Sequence, residues 1–364
     1  MRTFAILLVL LLVTLPAAAQ PAAPPATSFD QLMTAVQAVT TFSRARLYAQ
    51  VEDYQHALAD YSQVIALAPD GALAYLERGD TQIQLNDLSA ALADFNRYIE
   101  LLPMSPEGYQ VRGKLYVRQR NLDAALVDFN QALAVDPAYA PAYLERGLLY
   151  RVTGDPDAAL TDYDQYTSLQ PEDAEGYFRR ADLYLALDNL PAVVDDLSQA
   201  IIYRPDASVL YLIRGYAETQ LEQYPEGATD YYQWIKMNRQ NTFDEDVLQN
   251  GERIRIRMSF GALFRVPFTV EAGQKINMVA VTADGRSDPL IVILDPNGIP
   301  LIANDDVSDS DLSAAILNYQ APVTGQYTAV IGHARGGWDG PVIVALLLEN
   351  QKQIRLWPPD SLAG

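Results

Sequence analysis

The chain has 364 residues, of which 49% are hydrophobic and 20% are charged, with a formal net charge of −20 and no cysteine. The length exceeds what one domain usually needs, and the lack of cysteine excludes disulfides, thiol nucleophiles and cysteine-ligated zinc. With two histidines and no basic patch, the composition gives little support to histidine catalysis and argues against nucleic acid as a partner.

The N-terminus has the three-part pattern of a secretory signal peptide. Arg2 precedes an apolar run over residues 4–15, and a stretch of alanines follows. Because the run is shorter than the roughly 20 residues of a membrane-spanning helix, we expect residues 1–19 to be removed, with an uncleaved anchor as the alternative. The protein is then secreted or periplasmic, without stable membrane insertion after removal of the signal. Residues 20–27 predict a Pro/Ala-rich linker.

The sequence repeats with a period of 34 residues over the next two hundred positions. The hexapeptide AYLERG starts at residues 74 and 142, which are two periods apart. Each period contains two amphipathic segments separated by a turn, which predicts a helix A and a helix B. Two repeat positions are each occupied by one residue type in five successive periods. One is Pro69, Pro103, Pro137, Pro171 and Pro205, and the other is Tyr75, Tyr109, Tyr143, Tyr177 and Tyr211.

Residues 38–241 resemble the tetratricopeptide repeat family in the small residue of helix A, the alanine and aromatic residue of helix B, and the closing proline. The resemblance implies an all-α helical solenoid of six units over residues 28–241, in which helix A lines a concave face. The residues SFDQ at 28–31 predict the start of a lead-in helix before the first unit.

Two charged columns run through the repeats, one of arginine and one of aspartate. In an antiparallel helix pair they lie at similar height, which predicts a ladder of ion pairs within a unit or across to the next. A charged recognition surface is the alternative interpretation. The columns are Arg44, Arg78, Arg112, Arg146, Arg180 and Arg214, and Asp60, Asp94, Asp128, Asp162, Asp196 and Asp230.

The helix A residues that face the concave side predict a groove of mixed, partly apolar character. The groove lacks the Lys/Asn set with which family members clamp a C-terminal carboxylate, so we expect an extended or helical segment of another protein or a peptide as its partner. Alternatively, some of its apolar residues only pack within the solenoid. The predicted groove residues are Phe42, Arg46, Leu76, Asp80, Gln110, Lys114, Leu144, Leu148, Phe178, Asp182, Leu212 and Tyr216.

Beyond residue 250 the apolar residues alternate as they do in strands, and turn residues separate seven or eight short runs. This pattern predicts an all-β sandwich over 252–349, after a linker at 242–251 and before a tail at 350–364. The runs FTVEAGQKINMVAV, SDPLIVILDPNGIPLIANDD and APVTGQYTAVIG resemble the bacterial pre-peptidase C-terminal domain, a jelly-roll-like sandwich. That domain usually accompanies a protease, and the chain contains no recognisable protease domain.

The sandwich loops are rich in aspartate, and some relatives of this domain bind calcium. Carboxylates on loops are ligands that Ca²⁺ prefers, so Asp305 and Asp306 are candidate ligands, although aspartate also simply favours turns. We expect no other cofactor.

No G-x-S-x-G, H-E-x-x-H, P-loop or dinucleotide motif occurs, and we expect no catalytic residues. The sequence therefore predicts a secreted, non-catalytic scaffold that binds a protein or peptide in the groove. The alternative is surface, matrix or polysaccharide binding by the sandwich, with or without Ca²⁺, while the repeats act as a spacer.

Overall fold

The predicted signal peptide, the N-terminal linker, the C-terminal tail and the candidate calcium ligands Asp305 and Asp306 lie outside the residues that the structure describes. The structure is a computed structural model. It describes residues 29–259, 261–282, 288–304, 313–333 and 340–349. The chain divides into two compact units, one ending at Ala142 and the other beginning at Tyr143.

Twelve α-helices form the described chain up to residue 238, and they alternate between helix A and helix B of six repeats. The first helix is longer than the others because the predicted lead-in helix continues without a break into helix A of the first repeat. The helices are α1 Phe29–Gln50, α2 Tyr54–Leu67, α3 Ala72–Gln84, α4 Leu88–Leu101, α5 Pro106–Arg118, α6 Leu122–Val135, α7 Ala140–Thr153, α8 Pro156–Leu169, α9 Ala174–Ala186, α10 Leu190–Tyr203, α11 Ser208–Gln220 and α12 Tyr224–Asn238.

The turn from helix A to helix B has the same design in successive repeats. One residue adopts a left-handed backbone conformation, as Asn86 does with φ of 60°, and ends helix A. In the first four repeats the side chain of the next residue caps helix B, as the carboxylate of Asp87 does by accepting a hydrogen bond from the backbone N–H of Ala90 at 3.0 Å. The left-handed positions are Glu52, Asn86, Arg120, Gly154, Asp188 and Glu222.

Each repeat contains one bidentate ion pair between its two helices, and together these pairs form the Arg–Asp ladder. Arginine Nε and Nη2 donate to the two carboxylate oxygens of the aspartate 16 residues later, at 2.6–2.9 Å. The aspartates are at most 8% exposed. The predicted ladder is therefore confirmed, with every pair inside one repeat, and its burial identifies it as part of the fold rather than as a recognition surface.

The arginines of the ladder also connect neighbouring repeats within a unit. In the first unit, Nη1 of Arg112 donates to Oδ1 of Asn96, on helix B of the preceding repeat, at 2.7 Å. In the second unit, Nη1 of Arg214 donates to Oγ of Ser198 at 2.9 Å. One guanidinium group thus holds its own helix B and the preceding helix B at once, which fixes the spacing between repeats.

The tyrosine and glycine columns pack around the ladder. The guanidinium carbon of Arg112 lies 5.9 Å from the ring centroid of Tyr109, and the Tyr109 hydroxyl donates to the carbonyl of Pro103 at 3.1 Å. A β-carbon on Gly113 would lie 2.6 Å from the ring of Phe129. Glycine is required there because the aromatic ring of helix B occupies the space of a side chain on helix A.

Nine β-strands follow the helices in the described residues, where the sequence predicted seven or eight. The strands are β1 Asn241–Asp244, β2 Arg253–Met258, β3 Ala262–Val270, β4 Lys275–Thr282, β5 Pro289–Leu294, β6 Pro300–Asn304, β7 Ala314–Gln320, β8 Gly325–His333 and β9 Gly340–Glu349.

The strands form two sheets that pack face to face. The five-stranded sheet has the order β1-β3-β8-β5-β6 and the four-stranded sheet the order β2-β9-β4-β7. Only β1 and β3 are parallel among the hydrogen-bonded neighbours of the described strands. Phe268, Ile293 and Ala329 of the first sheet share one core with Met278 and Val344 of the second. The predicted fold class, a helical repeat solenoid followed by an all-β sandwich, is confirmed.

Helix α12 covers the other face of the five-stranded sheet. Tyr231 and Ile235 share a cluster of buried residues with Val292 of β5, and Trp234 Nε1 donates to the carbonyl of His333 at 3.1 Å. Strand β5 is buried at each of its positions because one face meets the second sheet and the other meets the helix. This explains why its sequence, PLIVIL, has no polar alternation.

Residues 242–251, which we expected to form a linker, contribute to the sandwich. Thr242 pairs with Leu263 where β1 runs parallel to β3. Leu248 is 2% exposed, lies in the sandwich core, and donates its backbone N–H to the carbonyl of Pro267 at 2.8 Å. The segment lacks an alternating apolar pattern because β1 is exposed at all four positions.

Removing one member of the Arg–Asp ladder should be costly, and removing both should be much less so. We expect Asp128→Ala to lower the free energy of unfolding by about 3 kcal/mol, since it leaves a half-buried guanidinium without its carboxylate. The double variant Arg112→Leu/Asp128→Ala should recover most of that loss because no unpaired charge remains. Urea unfolding followed by circular dichroism measures both.

The matched control for this comparison is Asp70→Ala, because the Asp70 side chain is 93% exposed and lies 4.0 Å from its partner Arg97. It should change the free energy of unfolding by less than about 0.5 kcal/mol. Equal losses in Asp128→Ala and the double variant would contradict the expectation.

Candidate functional site

The charged groove residues of the first unit lie on the accessible side of the A helices. Arg46, Asp80 and Lys114 are exposed, and they occupy the same position in three successive repeats. Nε of Arg46 lies 3.4 Å from Oε1 of Glu77, whose Oε2 accepts a hydrogen bond from the Tyr61 hydroxyl at 3.3 Å. Charges of alternating sign thus follow one another along the A helices of this unit.

Asp80 has a pKa raised to about 6. Burial by the surrounding helices is the main cause, and the negative charge of Glu77 adds to it, while Lys114 acts in the opposite direction. Although Asp80 remains in contact with water, crowding by neighbouring protein lowers the solvation of its carboxylate. The charge on this part of the surface therefore changes near pH 6.

The other three groove residues predicted in the first unit are less accessible. Phe42 is half-buried, with its ring edge-on to Tyr61 at a centroid distance of 5.7 Å. Leu76 and Gln110 are 7% and 8% exposed, and Leu76 belongs to the cluster of buried residues around Phe95. Both side chains pack within the solenoid. The alternative interpretation expected this for some of the apolar groove residues, as for Leu76, but not for the polar Gln110.

The apolar groove residues of the second unit are mostly half-buried. Leu144, Leu148, Phe178 and Leu212 have intermediate exposure, and Tyr216 is 36% exposed. All four pack partly within the fold: Leu144 and Leu148 against one cluster of buried residues, Phe178 against a second, and Leu212 against the cluster between α12 and the five-stranded sheet. The A helices of this unit therefore present a partly apolar surface that continues into the packing of the fold.

Charged side chains lie beside these apolar residues. Nη1 of Arg151 donates to Oδ2 of Asp182 at 2.5 Å, between the A helices of successive repeats. The Arg179 guanidinium lies 5.7 Å from the ring centroid of Phe178, and its Nε donates to Oε1 of Glu175 at 2.7 Å. Selecting groove residues by repeat position alone missed Glu175 and Arg179, since neither has a charged counterpart of the same sign in each repeat.

Two clefts occur at corresponding positions, four repeats apart, one in each unit. Each lies beside a predicted groove phenylalanine, at the N-terminal end of an A helix. The cleft in the first unit has a volume of about 450 Å³ and the one in the second about 110 Å³. Their corresponding lining residues are Ala38, Phe42, Gly71, Leu73 and Ala74 in the first, and Ala174, Phe178, Ala207, Val209 and Leu210 in the second.

The chemistry of the two clefts differs. Val39 and Leu102 line the first cleft, whereas Glu175 and Arg204 line the second. The first cleft, in which Asp70 is a charged lining residue among mostly apolar ones, suits an apolar group, while the second combines apolar lining residues with two opposite charges.

Helix α11 contains one acidic side chain, Glu218, and its pKa is raised well above the ordinary value. It is 7% exposed, and its Oε2 has no hydrogen-bond partner in the described structure. Burial raises its pKa to about 7, the charge of Asp230 adds to this effect, and Arg214, with Nε 3.8 Å from Oε1, opposes it. Glu226 is a further, weaker cause in the upward direction.

Within the described residues, no group of three or more His, Asp or Glu side chains is arranged to hold a metal ion. The candidate calcium ligands are outside those residues, so the calcium hypothesis stays a prediction. None of the described helices has the length and apolar character needed to cross a membrane.

Comparison with protein families identifies the repeats. Residues 45–115 match one model described as tetratricopeptide repeat, and residues 111–174 and 146–192 match a second model with the same description. Residues 45–192 therefore consist of tetratricopeptide repeats, as predicted. The resemblance of residues 250–348 to the pre-peptidase C-terminal domain stays a prediction.

Several solved structures are similar to about half of this chain. A thermophilic tetratricopeptide repeat protein of Thermus thermophilus is 25% identical, covering 50% of this chain and 98% of its own, with a TM-score of 0.42. PilF of Pseudomonas aeruginosa is 12% identical over 56% of this chain and 93% of its own, with a TM-score of 0.50.

A third similar structure is YrrB, described as a tetratricopeptide repeat protein with an unusual peptide-binding site. It is 20% identical over 52% of this chain and 97% of its own, with a TM-score of 0.39. No curated protein matches the chain.

The buried Glu218 should make stability depend on pH. Because its folded-state pKa of about 7 lies above the ordinary value of 4.5, the folded protein binds more protons than the unfolded one between these values. Its stability should therefore fall as the pH rises through that window, by on the order of 2 kcal/mol. Urea unfolding at several pH values, followed by tryptophan fluorescence, measures the change.

In Glu218→Gln this part of the pH dependence should disappear, because the side chain no longer titrates. Glu172→Gln, at an exposed position, is the control and should retain the wild-type profile. A Glu218→Gln profile parallel to the wild type would disprove the assignment.

Proposed function

We propose that the protein is an exported, non-catalytic scaffold that binds a segment of another protein or a peptide on the A helices of its repeats. The observation that carries this proposal is that different positions of the 34-residue period stabilise the fold and face the solvent. The ladder arginines and aspartates and the tyrosines between them recur and hold the fold. Among the positions that differ between repeats, the one occupied by Arg46, Asp80 and Lys114 is exposed in the first unit.

An extended partner would meet a different side chain at each repeat. In the second unit, the half-buried ring of Phe178 borders the smaller cleft, with Glu175 and Arg204 at its edge. Such a cleft suits an apolar side chain of a peptide, while the neighbouring charges suit its backbone or polar groups. This proposal predicts recognition by an ordered series of contacts rather than by a single anchoring group.

Export is part of the proposal and depends on the sequence alone. The short apolar run at residues 4–15, after Arg2, has the length and context of a signal peptide. Mass spectrometry of the protein purified from an exporting host tests it directly, since removal of residues 1–19 produces a defined loss of mass. A chain that retains these residues would contradict the proposal of export by a cleaved signal.

Truncation of the two accessible aromatic groove residues should weaken binding without unfolding the chain. We expect Phe178→Ala and Tyr216→Ala each to reduce partner affinity about 10-fold or more, since buried aromatic contacts at interfaces contribute about 1–2 kcal/mol or more. Partners are captured from the extracellular or periplasmic fraction, and the affinity of the identified partner is then measured by calorimetry.

The matched control is Ile202→Ala, on helix B of the same unit, where the side chain is 65% exposed. It should leave affinity unchanged. Wild-type affinity in both groove variants, with intact circular dichroism spectra, would place the binding surface elsewhere.

A second candidate function is binding of an anionic polysaccharide by the sandwich. Arg253, Arg255 and Arg257 alternate along the edge strand β2, and all three side chains are exposed. Within the described residues none of the three has an ion-pair partner. Three cations on one strand, about 7 Å apart, suit a polymer with regularly spaced carboxylates or sulfates. No basic patch stands out in the sequence, but in the structure these three arginines form one exposed row in a chain with a net charge of −20.

The arginine row should determine retention on a polyanion. We expect the triple variant Arg253→Ala/Arg255→Ala/Arg257→Ala to elute from heparin–agarose at a clearly lower salt concentration than the wild type, because each lost contact reduces ion release. Arg239→Ala, at an exposed position between α12 and β1, should elute like the wild type. Identical elution of the triple variant and the wild type would remove the support for this second function.

A further inference from the structure

The N-terminal half of helix α1 has an apolar stripe that no part of the described structure covers. Phe29, Leu32, Met33, Val36 and Val39 are 74%, 54%, 49%, 48% and 66% exposed. Their spacing of three and four residues places them on one face of the helix. A continuous apolar surface of this kind on a soluble protein indicates an interaction site.

The stripe leads into the larger of the two clefts. Val39 and Phe42 of α1 form one wall, and Leu73 and Leu102, which are 56% and 43% exposed, lie on the opposite side. The cleft has a volume of about 450 Å³, large enough for an aromatic side chain. A protruding Phe29 and an open apolar cleft therefore lie on one surface, separated by about three turns of the same helix.

The α1 part of this surface is also almost free of charge, while Asp70 is among the residues that line the cleft. Residues 29–43 contain one charged side chain, Asp30, in a chain with a net charge of −20. The hydroxyls of Thr34 and Thr40 donate to carbonyls of their own helix, at 2.9 Å from the Asp30 and Val36 oxygens. Because the chain as a whole is acidic, two copies repel each other electrostatically, and a helix face with one charged side chain contributes little to that repulsion.

We propose that the α1 stripe binds the α1 stripe of a second copy, with the two helices antiparallel around a two-fold axis near residues 34 and 35. This pairing places Met33 of each copy against Val36 of the other. It also places each Phe29 beside Val39 of the other copy, at the mouth of the cleft next to Phe42. The same patch serves both copies, as two-fold symmetry requires.

The size of the patch is sufficient for such a dimer. The stripe together with Leu73 and Leu102 exposes on the order of 700 Å² per copy, close to the roughly 800 Å² that each partner buries in a stable interface. The three- and four-residue spacing is that of helix pairs that pack side by side. A helix with the same stripe fits it, and α1 of a second copy is such a helix.

Sedimentation velocity over a range of concentrations tests the proposal. The protein is purified from an exporting host and its mass is measured, so that the N-terminus is known. We expect a dimer at micromolar concentration for the wild type, and for Val36→Asp a dimer dissociation constant at least 10-fold higher. Val127→Asp, at a position on α6 that is 66% exposed, is the matched control and should remain dimeric.

Disulfide cross-linking tests the antiparallel register, and the natural chain has no cysteine to interfere. An equimolar mixture of Met33→Cys and Val36→Cys chains should form a mixed disulfide dimer faster than either variant alone, because the two positions face each other only in this pairing. Mass spectrometry distinguishes the mixed dimer from the two homodimers.

Two results would overturn the proposal. One is a wild-type protein that stays monomeric at all concentrations. The other is a protein that is monomeric in solution but floats with phosphatidylcholine/phosphatidylglycerol vesicles and loses flotation in Val36→Asp, which would assign the stripe to a lipid surface. Circular dichroism spectra of each variant serve as the control, since a wild-type spectrum excludes unfolding as the cause of a lost dimer.

Discussion

The bidentate contact between an arginine of helix A and an aspartate of helix B is the interaction on which the repeated architecture depends. Its net contribution to stability is small, since the desolvation of two charges offsets much of their attraction. Its main effect is to fix the relative orientation of the two helices, because a planar guanidinium can donate two hydrogen bonds to a carboxylate in one orientation only. The third nitrogen donates to helix B of the preceding repeat, as Arg112 does to Asn96. Helix spacing within and between repeats is thereby set by one side chain.

Because the ladder fixes the positions of the helices, the exposed residues of helix A can differ from one repeat to the next. Around it, Tyr109 packs on Arg112 and hydrogen-bonds Pro103, while Gly113 admits the ring of Phe129. These residues are used for packing within the repeats and are not available to contact a binding partner. The exposed positions of the A helices carry charges of either sign or apolar groups. The two clefts also differ from each other in the charged side chains that line them. A rigid frame with independent surface positions is what a binding scaffold requires.

The repeats could be predicted from the sequence because each of them contains the same local signals: a periodic apolar pattern, a capped turn and a closing proline. Strand β1 and the role of Leu248 could not, since β1 pairs with a strand about twenty residues away and is exposed at each position. The groove was predicted only in part. Leu76 and Gln110 share repeat positions with accessible residues, yet neighbouring side chains bury them. Accessibility depends on packing, which repeat position alone does not encode.

The contact between α12 and the five-stranded sheet has a consequence for the order in which the protein forms. Helix α12 is synthesised before any strand of the sheet, so Ile235 lacks the last of its sheet partners until β8 and Val330 have been made. At about 5–20 residues per second, this interval of roughly 95 residues lasts on the order of 5–20 s. For that time the apolar face of the helix is only partly covered by the sheet. The last helix is thus the part of the repeat array whose packing is completed only after β8 has been made.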